Sequence, residues 1–249
     1  MARAVFIEHD HVSPPGAVGR RFAERGYDVE ELLVVPEDRF HAPDVEIEFP
    51  ELRPGDVLVP MGAPWSAYDL PAIGSWVVPE LDLLRRADAV GIGVLGICFG
   101  GQLLALAHGG DVAASPHPEL GWTEVTSDDP SLVPPGPWFQ WHDDRWTTPP
   151  GAREIARNAA APQAFVLRHS LALQFHPELD ESMLSGWLSN GGSRVLEQRG
   201  LDVGALLHET RTRADDAGRR TAALVDAFLD RIVPGSDPGP PTYDASHAR

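Results

Sequence analysis

The one cysteine of the chain, Cys98, ends an apolar run, "GIGVLGI" at 91–97, and is followed at once by "FGGQLLALAHGG". A strand that turns sharply into a helix presents the residue at the turn beyond the sheet edge, where small neighbours relieve the crowding. With sulfur at that position the chemistry is nucleophilic. The helix N-terminus favours the thiolate, and its free amides bind developing negative charge. The competing reading is a buried structural cysteine beside a tight turn.

A thiolate nucleophile needs a histidine within reach and an acid to orient it. "HPEL" occurs twice, at 117–120 and at 176–179. The second copy closes "SLALQFHPEL", where Leu171, Leu173 and Phe175 alternate. That pattern predicts a strand with His176 at its end, closed by Pro177, so that Glu178 reaches back to the imidazole. The first copy has prolines on both sides of His117. It reads as a surface loop, with Glu119 a structural carboxylate bonding nearby backbone amides.

Gly96, Cys98, Gly100 and Gln102 together resemble the nucleophile motif of the class I, triad-type glutamine amidotransferases, and "QFHPE" resembles their second signature. The likeness runs from about Ala4 to about Leu188. It implies a triad of Cys98, His176 and Glu178. The segment "DVLVPMGAPWSAYD" resembles the family's oxyanion loop, which implies backbone donors at Gly62 and Ala63, joined by Phe99. Ala63 stands where a second Gly is common, and a positive φ there would be strained.

Gln102 is implied to bind the glutamyl part of the substrate; the alternative is a cap at the helix start. "WFQWHDDRW" resembles a segment that commonly reads His-Gly-Asp beside the glutamine, which implies Trp141 and Asp143 at the substrate, with Asp143 in place of the usual Gly. Glu119 before "GW" resembles the GMP synthetase-like, stand-alone branch. The implied activity is hydrolysis of glutamine or another γ-glutamyl compound through a thioester on Cys98, with ammonia passed to a separate synthetase subunit and no cofactor. A stand-alone γ-glutamyl peptide or amide hydrolase is a second reading, and a non-catalytic binding module a third.

The elements that must position these groups follow from periodicity. "AVFIEH" then "GAVGRRFAERG", "DVLVP" then "WVVPELDLLRRADA", and "GIGVLGI" then "GQLLALAHGG" alternate strand-like and helix-like stretches. Such alternation predicts parallel strands joined by crossover helices, with functional loops at the C-terminal strand ends. From Gly121 to Phe175, "GWTEVT", "WFQWH", "REIARN", "AFVLRH" and "LALQF" read as strands between Pro-, Gly- and Asp-rich turns, hence antiparallel pairing inserted in the sheet. Helical pattern returns from about 180 to 233 and should pack on the sheet or cap the site. The expected fold is α/β, a flavodoxin-like and mostly parallel sheet with helices on both faces, antiparallel additions and a helical C-terminal segment. We expect one domain over 1–233 and a disordered tail over 234–249, whose Pro, Gly and polar content cannot offset ordering entropy.

Composition narrows the function class. The 37 acidic residues exceed the 20 basic ones, all arginine, and the formal net charge of -17 argues against nucleic acid and anionic membrane as partners. A single cysteine excludes an intrachain disulfide and any multi-cysteine metal site. We find no export signal and no apolar run long enough for a membrane helix, so a cytoplasmic location is expected. Without lysine there is no standard Walker loop. Glu8, His9, Asp10 and His11 are consecutive, but neighbours in extended chain point to opposite sides. We expect a polar loop bordering the pocket there and no metal.

Overall fold

The computed structural model describes residues 2–235; most of the segment expected to be a disordered tail lies outside them. Five strands form the parallel part of the sheet: β1 (Arg3–Glu8), β2 (Asp28–Leu33), β3 (Val57–Pro60), β4 (Gly93–Ile97) and β9 (Ser170–Leu173). The antiparallel strands are β5 (Asp111–Ser127), β6 (Gly136–Thr147), β7 (Arg153–Arg157) and β8 (Pro162–Leu167). The order across the sheet is β2-β1-β3-β4-β9-β8-β7-β5-β6. The antiparallel strands therefore extend one side of the parallel sheet beyond β9, although in sequence they are inserted before it.

The central parallel strands β3 and β4 are apolar without interruption because both of their faces are covered, whereas the edge strand β2 is not. Ala4 and Phe6 of β1 point into one core with Val59, Leu95 and Leu171, packed by α1 (Gly16–Glu24) through Phe22 and by α6 (Val203–Arg231) through Phe228. Val5 and Ile7 point into the other with Leu58, Val94 and Ala172, packed by α2 (Leu70–Ala89) through Trp76 and by α3 (Phe99–Ala107) through Leu103. Each successive side chain changes face, as the two-residue period of a strand requires. The flavodoxin-like expectation is met.

A third cluster joins β6 to the C-terminal helices, where Phe139 meets Leu179, Met183, Leu184 and Leu196. It carries α4 (Glu181–Trp187) and α5 (Ser193–Gln198). Asp180 caps α4 by accepting from the Met183 amide at 3.0 Å, and Asp202 caps α6 from Ala205 at 2.7 Å. Between α4 and α5 the helical path breaks at Asn190 and at Gly191, which has φ 102°. Among the described residues no helix is long and apolar enough to cross a membrane.

Two local expectations need correction. The first HPEL copy is not a loop: it lies inside β5, at an irregularity between Ala114 and Glu119 where Pro116 and Pro118 interrupt the ladder to β6. The second copy does not continue its strand, since β9 stops at Leu173. Gln174 and His176 are held instead by single backbone bonds to Gln163 and Phe139, each 2.9 Å.

Candidate active site

Cys98 sits between β4 and α3 with φ 50° and ψ -104°, a left-handed backbone that costs a non-glycine residue about 1–3 kcal/mol. Packing enforces it. A Cβ on Gly96 would lie 2.6 Å from the Gly100 carbonyl oxygen, one on Gly100 2.0 Å from that of Pro60, and one on Gly101 2.7 Å from that of Leu173. The glycines let β3, β9 and α3 close on the turn, and the Cys98 amide is tied to the Leu173 oxygen at 2.7 Å. Phe99, as the first residue of α3, leaves its amide without an intrahelical acceptor.

His176 and Glu178 are buried next to this turn. The imidazole Nδ1 is 2.7 Å from Glu178 Oε1, so the expected reach of the acid across Pro177 is present. Trp187 contacts the ring edge-on, with centroids 5.0 Å apart. Burial opposes charge on His176, but Cys98 and Glu178 together outweigh it and hold the pKa well above the ordinary histidine value. An imidazolium here supplies the counter-charge a thiolate needs. Attraction to Cys98 couples the two side chains, and no other residue among those described bonds Nε2. Sγ lies 3.7 Å from the Gln174 side-chain Nε2 and 4.0 Å from the Trp141 carbonyl oxygen.

Gly62 faces both groups: a Cβ there would be 3.1 Å from His176 Cε1 and 3.9 Å from Cys98 Cβ. The feared strain at Ala63 is absent, because the only non-glycine residues with positive φ among those described are Cys98 and Arg168. The loop is latched to β6, where Asp144 accepts from Ser66 Oγ at 2.6 Å and from Tyr68 Oη at 3.0 Å. Gln102, buried, donates to the Asp144 carbonyl at 3.4 Å. Trp141 packs edge-on against Trp187, and the exposed Asp143 carboxylate turns to Arg199 at 2.6 Å.

A cavity of about 400 Å³ brings together Cys98, His176, Gly62, Ala63, Phe99, Gln102, Trp141 and Asp143. Every residue expected at the site lines it except Glu178, which stands behind His176. Asn190 and Trp187 line it as well, and neither carries a motif that would have marked it beforehand. His9 and Glu80 were also missed. They form a fully buried pair under the Gly62 loop, so the reading of 8–11 as a polar loop holds for Asp10, at the cavity wall, and fails for His9. Among the described residues no cluster of three or more His, Cys, Asp or Glu could hold a metal ion.

The first HPEL copy contributes differently. His117 is exposed. Glu119 bonds side-chain amides, not the backbone amides expected, accepting from Asn158 at 2.5 Å and from Gln163 at 2.9 Å. Gln163 in turn accepts from Gln140, whose own oxygen lies 3.2 Å from His142 Nε2. His142 Nδ1 donates to the Asp144 carbonyl at 3.0 Å. The copy is the root of a polar network that ends behind the cavity wall.

The glutamine amidotransferase class-I family model matches residues 17–190. The glutamine-hydrolysing GMP synthase of Thermomicrobium roseum is 39% identical over 132 residues, covering 49% of this chain and 23% of that protein. That of Anaplasma marginale is 32% identical over 205 residues, 72% of this chain and 37% of the relative. The chain thus spans about a quarter to a third of the length of such relatives. A crystal structure of a glutamine amidotransferase from Methylobacillus flagellatus superposes with TM-score 0.78 at 26% identity, covering 92% of this chain and 95% of that one. One from Thermotoga maritima, at 23% identity and TM-score 0.79 over 91% and 97%, shares the fold. With a match across more than half its residues, the chain belongs to the class-I glutamine amidotransferase family.

Proposed function

We propose that this protein hydrolyses the side-chain amide of glutamine through a γ-glutamyl thioester on Cys98 and delivers the ammonia to a separate acceptor protein, with residues 1–233 acting as one domain. The observation that carries the reading is the strained Cys98 turn sharing one cavity with His176, whose ring Glu178 bonds from behind. Cys98 attacks the amide carbon as thiolate, and the carbonyl oxygen takes up the negative charge. Backbone amides of the Gly62–Ala63 loop and of Phe99 hold that oxygen. His176, held as imidazolium, gives its Nε2 proton to the departing ammonia, then takes a proton from the water that opens the thioester. Glu178 keeps the ring oriented and balances its charge. Gln102, Trp141 and the Asp143 backbone border the space left for the glutamyl group.

In such a pair of glutaminase and acceptor the isolated site turns over slowly until its partner docks, since a displacement of about 1 Å costs on the order of a hundredfold in rate. The GMP synthase relatives suggest a synthetase as that partner, and a lone thiol suits the reducing cytoplasm. One observation favours a stand-alone γ-glutamyl amide hydrolase: Phe40, Trp65, Trp141 and Trp187 give the cavity more aromatic lining than a glutamine side chain uses. The test measures ammonia and glutamate release from glutamine, and amine release from γ-glutamyl peptides, by the purified chain with and without a candidate synthetase. Slow glutamine turnover that rises with the synthetase supports the proposal. Fast turnover of a γ-glutamyl peptide by the chain alone replaces it with the hydrolase.

A further inference from the structure

His9 and Glu80 are completely buried, and the reaction above uses neither. His9 follows β1 directly, while Glu80 comes from the middle of α2. The imidazole lies against Trp76 and Phe99, at centroid distances of 5.4 and 4.9 Å. Its Nδ1 is 3.1 Å from the Gly62 carbonyl oxygen, and its Nε2 is 3.1 and 3.0 Å from the two Glu80 oxygens. A carbonyl only accepts, so Nδ1 carries a proton and donates it to Gly62. A second proton then lies between Nε2 and Glu80. Burial opposes charge on His9, and Glu80 and the Gly62 carbonyl outweigh it, which raises the histidine's pKa.

A buried histidine–carboxylate pair is a poor device for stability alone, because apolar side chains of the same volume hold helix to sheet at least as well. Its bond to Gly62 offers another use. In a trans peptide the carbonyl and the next residue's N–H point in opposite directions. Gly62 and Ala63 line the cavity, His9 does not, and neither loop amide has an acceptor among the described residues. Fixing the Gly62 oxygen on His9, behind the loop, turns the Ala63 N–H away from His9 and toward the cavity.

We propose that the His9–Glu80 pair clamps the Gly62–Ala63 peptide so that the Ala63 N–H is aimed at the oxygen of the tetrahedral intermediate, which makes His9 a positioning residue for the oxyanion site. The clamp rests on the glutaminase reading and names which loop amide acts in it. It also accounts for alanine at 63: an N–H aimed from below needs no left-handed backbone, and Ala63 has none.

The test uses the full chain and its His9→Phe variant, which keeps a ring against Trp76 and Phe99 but has no donor. The rate of acyl-enzyme formation from glutamine should fall on the order of 10- to 100-fold with KM changed only a few-fold. Alkylation of Cys98 by iodoacetamide, a displacement that makes no oxyanion, should keep its wild-type rate. His9→Asn places an amide donor near the Nδ1 position and should recover most of the acylation rate, whereas His9→Leu, of nearly the same shape, should not. The Asn and Leu pair decides the matter if the Phe variant fails to fold. Equal acylation by folded His9→Leu and His9→Asn, or a parallel loss of alkylation and acylation, would overturn the clamp. If the wild-type chain acylates with no γ-glutamyl amide, the glutaminase reading fails instead. The crystal structure of the His9 variants then still decides the clamp, by whether the Gly62 carbonyl has turned.

Discussion

Glu119 pairs with His142 at 3.3 Å across the β5–β6 ladder and leaves His117 of its own tetrapeptide exposed. Glu178, at the same place in the second copy, instead bonds the histidine of its own tetrapeptide at 2.7 Å. Identical residues make different partners because strand pairing sends Glu119 to the facing strand, while a turn folds Glu178 back. His176→Ala should therefore slow thioester formation on the order of a thousandfold or more, and His117→Ala should stay within a few-fold of wild type. Mass spectrometry of quenched acyl-enzyme, with circular dichroism as the folding control, makes the comparison. An active His176→Ala beside an inactive His117→Ala would reverse the assignment.

The left-handed backbone at Cys98 is a stability cost that glycine escapes. Cys98→Gly should be more stable than Cys98→Ala by about 1 kcal/mol, or roughly 2–4 °C in Tm, even though both are inactive. Thermal unfolding of the two variants settles it. Equal Tm values would mean that the turn stores no strain.

Two glycines in helices should respond oppositely to alanine. At Gly74 of α2 the new Cβ would find only Leu70 Cβ at 3.8 Å, so Gly74→Ala should stabilise by about 0.5–1 kcal/mol. At Gly100 it would meet the Pro60 oxygen at 2.0 Å, and that alanine should destabilise by about 3 kcal/mol or fail to fold. Denaturant midpoints read both changes.

Glu8, at the end of β1, is pushed up to about 8 by burial first and then by Glu31 and Asp10. Its folded pKa lies above its unfolded one, so the folded state holds the extra proton between roughly pH 4.5 and 8 and loses stability as pH rises through that window. Glu8→Gln removes the dependence. Its Tm advantage over wild type should widen from pH 5 to 8 and level off above, and a constant difference across that range would contradict the buried protonated carboxyl.

The elbow was legible because its constraint is local: strand, Cys98, glycines and helix are contiguous in the chain. The same holds for His176 and Glu178, two residues apart around a proline. What escaped reading depends on long-range packing. Nothing within a few residues of His9 announces Glu80, which follows only after α1, β2, β3 and the first half of α2. β2, "DVEELL", has only partly covered side chains and so lacks the apolar signature of its neighbours. The first tetrapeptide misled because prolines that normally argue for a loop are also compatible with an interrupted edge ladder. Trp187 and Asn190 line the cavity from the end of α4 and from the break after it, which local sequence does not mark.

The packing around Gly96, Gly100 and Gly101 also sets which parts of the cavity can drift over evolutionary time. At those three positions the smallest added side chain collides with main-chain oxygen, so the reacting end has almost no neutral neighbours in sequence space. Trp187, Asn190 and Val195 border the same cavity as side chains of a broken helix, not as glycines closed in by main chain. A library randomised over both regions should return functional variants almost wholly from the helical side. New substrate preference would then arise there, while the chemistry at the floor stays as it is.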